Sequence, residues 1–145
     1  MSVIAKIYGP FFLSLANKEI DLDSDTLKVM LCTSSYTPNQ DTHRYKSDVT
    51  NEISGTGYTA GGLALTSVTV SYDAPTNTFK LDAADPTWPT STITARYAVF
   101  YDATPATDAT RPLIAYVDFG ADVTSSGGPF TDTLDANGIL NLVAA

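Results

Sequence analysis

The sequence predicts an all-β domain: an antiparallel β-sandwich or flattened barrel of six or seven strands with one or two short helices. Short runs of alternating apolar and polar residues recur along the chain, and turn residues separate them. Thr, Ser and Asn, rather than charged residues, supply most polar positions, as is typical of strands and turns. The 145 residues suffice for one well-packed core, so we expect a single domain, 1–145.

The first elements are a helix, a turn and a strand. Pro10, followed by apolar residues at helical spacing, predicts a short helix that ends near Lys18. The aspartate-rich residues 21–25 predict a turn. In residues 26–33 every second residue is apolar, and some of the residues between them are apolar as well. They predict a strand with both faces at least partly covered.

The segment from residue 34 to residue 67 is the least regular part of the sequence. It contains many glycines, two of them adjacent, and three tyrosines, but no long apolar run. A structureless loop of this length is uncommon in a compact domain. We therefore expect either short elements, such as a helical turn at 45–49, or a contact arm at about 34–67. The glycines at 55–62 predict a flexible or tightly turning loop rather than a phosphate site.

The second half of the chain supplies the remaining strands. In residues 67–81, apolar and polar residues alternate on both sides of a turn at 73–77. This pattern predicts a hairpin. Residues 85–89, with two prolines, predict a rigid connector. Residues 130–134 and 139–143 flank an Asn-Gly turn and predict a closing hairpin.

Two longer apolar runs predict strands in the interior of a sheet. In residues 92–101, every second residue is predicted to share one face, and the other face is also largely apolar. The first set is Ile93, Ala95, Tyr97, Val99 and Tyr101, and the second is Arg96, Ala98 and Phe100. In residues 113–119, the residues predicted to point inward are Leu113, Ala115, Val117 and Phe119.

The net charge of −8, from 16 acidic and 8 basic residues, argues against two classes of partner. Nucleic acid requires a cluster of Lys and Arg that this sequence lacks. The surplus of negative charge also repels anionic membranes. The apolar runs are far shorter than the roughly 20 residues that span a bilayer, and the N-terminus does not have the pattern of a signal peptide. We expect neither nucleic acid nor membrane as a partner.

Residues suited to catalysis are few. His43, the only histidine, lies in a polar stretch, which favours a loop residue over a general base. Cys32 lies in a predicted strand, which is typical of a buried and unreactive thiol. No glycine-flanked serine indicates a nucleophile. We expect no catalytic residue, no cofactor and no enzymatic activity.

Three aspartates, Asp21, Asp23 and Asp25, have the spacing that opens an EF-hand calcium loop. Thr26 occupies the position where that loop needs glycine, and Cys32 the position where it needs an acidic side chain. The aspartates are therefore predicted to cap a turn. They remain the weak candidates for a divalent metal site.

Large aromatic residues outside the regular strand positions allow two interpretations. They either fill the ends of the sandwich or anchor subunit contacts, because Tyr and Trp dominate interface hot spots. The apolar segment near the N-terminus allows the same two interpretations. The residues for which we predict a contact role are Phe11, Phe12, Tyr36, Tyr45, Tyr58 and Trp88.

Several segments form a pattern that spans nearly the whole chain. They are NKEID (17–21), DTLKVML (25–31), SYTPNQDTH (35–43), DVTNE (48–52), GTGYTAGG (55–62), ITARYAV (93–99) and the strand at 114–120. In these segments the chain resembles a group of small structural proteins of tailed bacteriophages. The resemblance rests on overall similarity and not on a catalytic signature, so no catalytic residue is carried over from it.

The resemblance implies a virion component assembled in the cytoplasm of the host bacterium, and first of all a capsid decoration or cement protein. Such a protein would bind the major capsid protein and form a homo-oligomer, with a trimer favoured. It would stabilise the head by binding only the expanded shell.

Three alternatives remain. One is a tail- or fibre-associated module that acts in host adhesion. Another is a carbohydrate-binding module, which an exposed aromatic platform would indicate. The last is a glycosidase-like enzyme, which two carboxylates in a cleft would indicate.

Overall fold

The computed structural model describes residues 3–144, including the backbone but not the side chain of Ile4. The ends of the predicted domain, Met1, Ser2 and Ala145, lie outside the described residues. The described residues form eight strands, one α-helix and one 3₁₀ helix. The elements are β1 (Ile4–Ile7), α1 (Phe11–Ala16), β2 (Leu27–Cys32), the 3₁₀ helix (Lys46–Asp48), β3 (Leu63–Ala64), β4 (Thr69–Asp73), β5 (Thr78–Asp82), β6 (Thr87–Asp102), β7 (Leu113–Thr131) and β8 (Leu140–Val143).

The strands form two antiparallel sheets, which confirms the predicted all-β sandwich. The larger sheet has the order β1-β7-β6-β2-β3, and the smaller has the order β4-β5-β8. The described strands do not close into a barrel. Each sheet therefore keeps two free edges: β1 and β3 in the larger sheet, and β4 and β8 in the smaller one. The strand count exceeds the predicted six or seven because the short strands β1 and β3 gave no clear sequence signal.

Two apolar cores flank the larger sheet. The larger core lies between the sheets, where Leu81 and Leu140 of the smaller sheet join Val29 and Phe100 of the larger sheet. The smaller core covers the opposite face of the larger sheet. Strand β2 contributes to both cores, which confirms that both of its faces are covered. The buried residues of the smaller core are Tyr8, Met30, Cys32, Tyr36, Val99, Tyr101, Leu113 and Tyr116.

The segment 34–67 packs across both cores. Tyr36 is buried in the smaller core and Ile53 in the larger one. The segment contains short elements, as the first of the two expectations stated: the 3₁₀ helix lies where a helical turn was predicted, and β3 lies near the end. Its glycines make tight turns. At Gly62, a positive φ of 77° and the close approach of the Val29 carbonyl oxygen leave no room for a β-carbon.

Strand β6 differs from its predicted alternation. Its pairing with β7 is irregular between Ala95 and Tyr97. Just before this point Ile93 and Ala95 face the larger core. After it, even-numbered residues such as Phe100 face the larger core, while odd-numbered residues such as Val99 face the smaller one. The prediction of one continuous face was wrong because the irregularity at Arg96 exchanges the two faces.

Strand β7 is longer than predicted and also irregular. It extends to Thr131 rather than ending at Phe119. Val117 and Phe119 pack on the larger core as predicted, but Leu113 lies in the smaller core. The pairing of β6 and β7 shifts near this end of β7, which turns Leu113 to the other face.

The predicted connector at 85–89 was wrong in its second half, which is the start of β6. Trp88 pairs with Phe130 of β7. Pro89 follows within the strand, and the register shifts between Trp88 and Ser91. A proline fits at such an irregularity because its missing N–H interrupts no regular ladder.

The predicted closing hairpin does not form. Its turn is present, and the Gly138 N–H donates to the Asp135 carbonyl oxygen at 2.8 Å. Residues 130–131, however, end β7, and β8 pairs with β5 in the other sheet. Gly138 has a φ of 83°, and a β-carbon there would collide with the Leu81 carbonyl oxygen of β5. The Asn-Gly signal predicted the turn but not the sheet that the next strand joins.

Candidate contact surfaces

Helix α1 begins after Pro10, as predicted, and ends in a Schellman motif. Lys18 has a φ of 61°, and its N–H donates to the Leu15 carbonyl oxygen at 3.2 Å. The Glu19 N–H donates to the Ser14 carbonyl oxygen at 2.9 Å. This pair of bonds closes the helix after six residues.

One side of α1 is exposed and apolar. Phe11 and Ser14 face the domain, whereas Phe12, Leu13 and Leu15 are 44%, 56% and 39% exposed. A single exposed apolar residue is ordinary, but a cluster on one element indicates a contact site. We call Phe12, Leu13 and Leu15 the α1 surface.

Polar contacts fix α1 to the 34–67 segment. Arg44 donates through Nε to the Ser14 hydroxyl at 3.2 Å and through Nη2 to the Glu19 carboxylate at 3.0 Å. The Tyr45 hydroxyl donates to the same carboxylate at 3.2 Å. Desolvation and the hydrogen bond to Glu19 raise the pKa of Tyr45, so it remains a neutral donor. The helix therefore presents its apolar side from a fixed position.

Only some of the six predicted contact residues lie at the surface. Phe11, Tyr36 and Trp88 are at most 2% exposed, so they fill the cores of this chain, which was the alternative interpretation. Phe12 belongs to the α1 surface, and Tyr45 lies beside the end of α1 and is half-buried. Hydrophobicity alone did not separate the two groups, because it does not tell which side of a helix or loop meets the core.

Trp88 and Tyr58 pack together at one end of the larger core. Their rings are stacked with centroids 5.9 Å apart, and Phe130 meets the indole edge-on at 5.9 Å. Tyr58 is half-buried, and its hydroxyl donates to the Glu52 carboxylate at 2.8 Å. The indole N–H of Trp88 has no partner among the described residues. Packing within the domain accounts for both rings.

His43 lies at one end of a chain of hydrogen-bonded side chains that includes Tyr36 and Tyr8 of the smaller core. Its Nδ1 lies 2.9 Å from the Tyr36 hydroxyl, which lies 2.9 Å from the Tyr8 hydroxyl. Burial raises the pKa of Tyr36 to about 12 and raises that of Tyr8 as well. Both tyrosines stay protonated, so Tyr8 can donate to Tyr36 and Tyr36 to His43. Nothing in the sequence pattern signalled these hydrogen bonds.

Cys32 is fully buried in the smaller core, as predicted for an inert thiol. Burial is the main cause that raises its pKa to about 12, and the Glu52 carboxylate adds to the effect. Because the thiolate is the reactive form of cysteine, this thiol is a poor nucleophile.

The aspartates at 21–25 cap their own turn. Asp21 Oδ1 accepts from the N–H groups of Asp23 and Ser24 at 3.1 and 3.2 Å, and Asp25 Oδ2 accepts from the Asp21 N–H at 2.8 Å. Hydrogen bonds from Ser24 and Asp23 lower the pKa of Asp21. Across the described part of the chain, no group of three or more His, Cys, Asp or Glu side chains is placed to hold a metal ion.

A second exposed apolar surface lies on the predicted β4–β5 hairpin, which forms. All five residues of β4 are exposed. Val70 pairs directly with the buried Leu81, and Tyr72 lies two residues further along β4, so both face the side of the core. They are nevertheless 36% and 57% exposed, so the described residues cover this part of the face only partly. We call Val70 and Tyr72, with the free edge of β4, the hairpin surface.

A groove separates the free edges of β1 and β8. It consists of a cavity of about 580 Å³ and a smaller one of about 290 Å³, which share Ala5, Asp135, Gly138 and Ile139. We call it the β1–β8 groove. The apolar side chains that line its larger part include Phe100, Val117, Phe119, Val123, Phe130 and Leu134.

Comparisons of the chain with protein-family models, with curated proteins and with solved structures find no match. Within residues 3–144, neither helix has the length and apolar character needed to cross a bilayer.

Proposed function

We propose that this chain is a structural protein of a tailed-bacteriophage virion, without catalytic activity, that decorates the outside of the head by binding the major capsid protein. The α1 surface carries the proposal. It places three exposed apolar side chains on one helix that hydrogen bonds hold to the domain. The sequence resemblance supplies the class of assembly to which such a surface would bind.

The energetics of the α1 surface suit a protein that binds many times to a repeating lattice. Full burial of a Phe or Leu side chain contributes about 1.5–3 kcal/mol, and these three are already about half buried. One copy would therefore gain roughly 2–4 kcal/mol from this surface, which alone supports only weak binding. A homo-oligomer that engages several shell sites at once would bind far more tightly through avidity.

The proposal is tested by sedimenting the purified protein with empty heads of the phage that encodes it. We expect saturable co-sedimentation that persists at high salt, because the α1 surface contains no charged side chain. Leu13→Ser should weaken the binding, whereas Ala106→Ser, a change at an exposed apolar residue in the loop between β6 and β7, should not. Absence of co-sedimentation would contradict the proposal, and binding to purified tails instead of heads would support the tail-associated alternative.

A further inference from the structure

We infer that the larger cavity of the β1–β8 groove binds a small organic cation, with the apolar part of the molecule in the cavity and its ammonium group at Asp132. The cavity measures about 580 Å³, which is within the usual range for small-molecule sites. The inference is independent of the proposed function, because this cavity opens beside the larger core and not at the α1 surface.

Asp132 follows the last residue of β7 and keeps the alternation of that strand. Phe130 and Asp132 are buried, whereas Thr131 and Thr133 are exposed. The Asp132 N–H donates to the Pro86 carbonyl oxygen at 3.0 Å, which continues the pairing of the chain beyond the end of β7. The Asp132 side chain therefore lies on the same side of the chain as Phe130, and both residues line the cavity.

The Asp132 carboxylate is a buried charge without a counter-charge among the described residues. It is 4% exposed, and its Oδ2 atom has no hydrogen-bond partner in the described chain. None of the ion pairs between described residues includes it. Burial, with a smaller effect of Asp85, raises its pKa to about 6, so most of it is still ionised at neutral pH. A buried carboxylate is costly unless a cation or a hydrogen-bond donor offsets its charge.

The basic residues around the groove are directed elsewhere. No Lys, Arg or His of the described chain lines the larger cavity. Lys6 lines only the smaller cavity, and it pairs with Tyr116 of the smaller core, so its side chain points to the opposite face of the sheet. Lys80 donates to the Ala136 carbonyl oxygen at 2.9 Å and pairs with the Asp82 carboxylate at 3.1 Å. No described residue therefore supplies the cation that the buried carboxylate lacks.

The walls of the cavity favour an organic cation over a metal ion or a water molecule. They are mainly apolar, and the rings of Phe119 and Phe130 meet there with centroids 6.1 Å apart. A metal ion needs several oxygen ligands, but the described chain has no group of three side chains placed to hold one. A water molecule would donate to Asp132 but would find few other polar partners. An ammonium group pairs with the carboxylate while its apolar body contacts the walls.

The experiment compares two molecules that have the same apolar body, 4-phenylbutylamine and 4-phenylbutanol. Their dissociation constants are measured by equilibrium dialysis near neutral pH, where the amine carries a positive charge and the alcohol does not. We expect the unaltered protein to bind the amine at least about tenfold more tightly, because hydrogen bonds to charged groups are strong. Asp132→Asn keeps the shape of the side chain but not its charge, so it should abolish this preference and retain the binding of the alcohol.

Asp135→Asn is the matched control. Asp135 lines the same cavity, but it is exposed and its Oδ1 already accepts from the Asn137 N–H at 2.8 Å, so the preference for the amine should persist. Val123→Trp should weaken the binding of both molecules, because Val123 lines the cavity and an indole would fill part of it. Circular dichroism checks that each variant is folded.

Three results would overturn the inference: no binding of the amine, equal binding of the two molecules, or a preference for the amine that survives Asp132→Asn. Sedimentation with heads uses neither molecule. Failure of the proposed function and failure of this inference are therefore observed in separate experiments.

Discussion

Phe11 and Phe12 are adjacent in the sequence, and their ring centroids lie 5.4 Å apart, yet only Phe11 belongs to the core. Phe11 is 1% exposed and Phe12 is 44% exposed. Consecutive residues of an α-helix point about 100° apart, so a six-residue helix can bury one ring and present the next. Helix α1 thus joins the core of the domain to its candidate contact surface.

Substitution of the two phenylalanines should separate stability from binding. Phe11→Ala should lower the free energy of unfolding by about 3–5 kcal/mol, because it leaves a cavity in the larger core. Phe12→Ala should change it by less than about 0.5 kcal/mol, because its ring faces solvent. Urea denaturation followed by circular dichroism measures both values. Equal losses would show that the helix is not oriented as described.

Trp88 should tolerate phenylalanine better than alanine. Trp88→Ala should cost about 3–5 kcal/mol of unfolding free energy, since the indole fills the end of the larger core. Trp88→Phe leaves a smaller cavity, and it also removes a buried N–H that has no partner among the described residues. Removal of that N–H should recover about 1–3 kcal/mol of the unfolding free energy that the cavity costs. Thermal and urea denaturation of both variants test this. If Trp88→Phe proved as damaging as Trp88→Ala, the N–H must have a partner.

Lys18→Gly should stabilise the protein. Lys18 occupies the left-handed position that closes α1, with a φ of 61°, where glycine has no β-carbon penalty. The left-handed conformation costs an L-residue about 1–2 kcal/mol, and the additional chain entropy that glycine loses on folding offsets roughly half of this, so we expect a gain of about 0.5–1 kcal/mol in the free energy of unfolding. Asn17→Gly is the matched control, because Asn17 has a φ of −84° and should gain nothing. A loss at Lys18→Gly would contradict the Schellman geometry.

Asp132→Asn should change how stability depends on pH. Burial, with a smaller effect of the Asp85 carboxylate, raises the pKa of Asp132 to about 6. An unfolded aspartate has a pKa of about 3.9, so between about pH 4 and 6 the folded protein binds a proton that the unfolded chain does not. This contribution to the free energy of unfolding is therefore lost as the pH rises from about 4 to 6.

The variant cannot ionise at this position, so above pH 6 it should be more stable than the unaltered protein by up to about 3 kcal/mol. The difference should vanish near pH 4. Burial also raises the pKa of Asp102, assisted by Asp25, but that residue is present in both proteins and its effect cancels. Asp135→Asn, an exposed control, should follow the unaltered protein. Identical profiles for all three proteins would contradict a buried carboxylate at Asp132.

The features that the sequence predicted correctly are those that depend on neighbouring residues. Pro10 and the apolar spacing after it predicted α1, and the alternation at 67–81 predicted the β4–β5 hairpin. The features it missed depend on distant pairing. The irregularity at Arg96 is set by the register with β7, and the partner of β8 is set by the fit of Gly138 against β5. Neither of these two features can be recognised from the residues next to it in the sequence.

The same distinction between local and distant determinants applies to the candidate contact surfaces. Alternation placed Val70 and Tyr72 on one face of a strand but could not show that no layer covers that face. Phe11 and Phe12 were predicted to have the same contact role, because composition does not distinguish the two sides of a short helix. The β1–β8 groove is assembled from residues that are far apart in the chain, so no sequence signal could reveal it.

The most direct test of the proposed function is amide hydrogen exchange of the protein alone and bound to heads. If α1 binds the shell, exchange in residues 11–17 should slow on binding, while the 21–25 turn, held by its own hydrogen bonds, should be unaffected. Unchanged exchange in residues 11–17 of the bound protein would contradict the assignment of the α1 surface as the part of this chain that contacts the head.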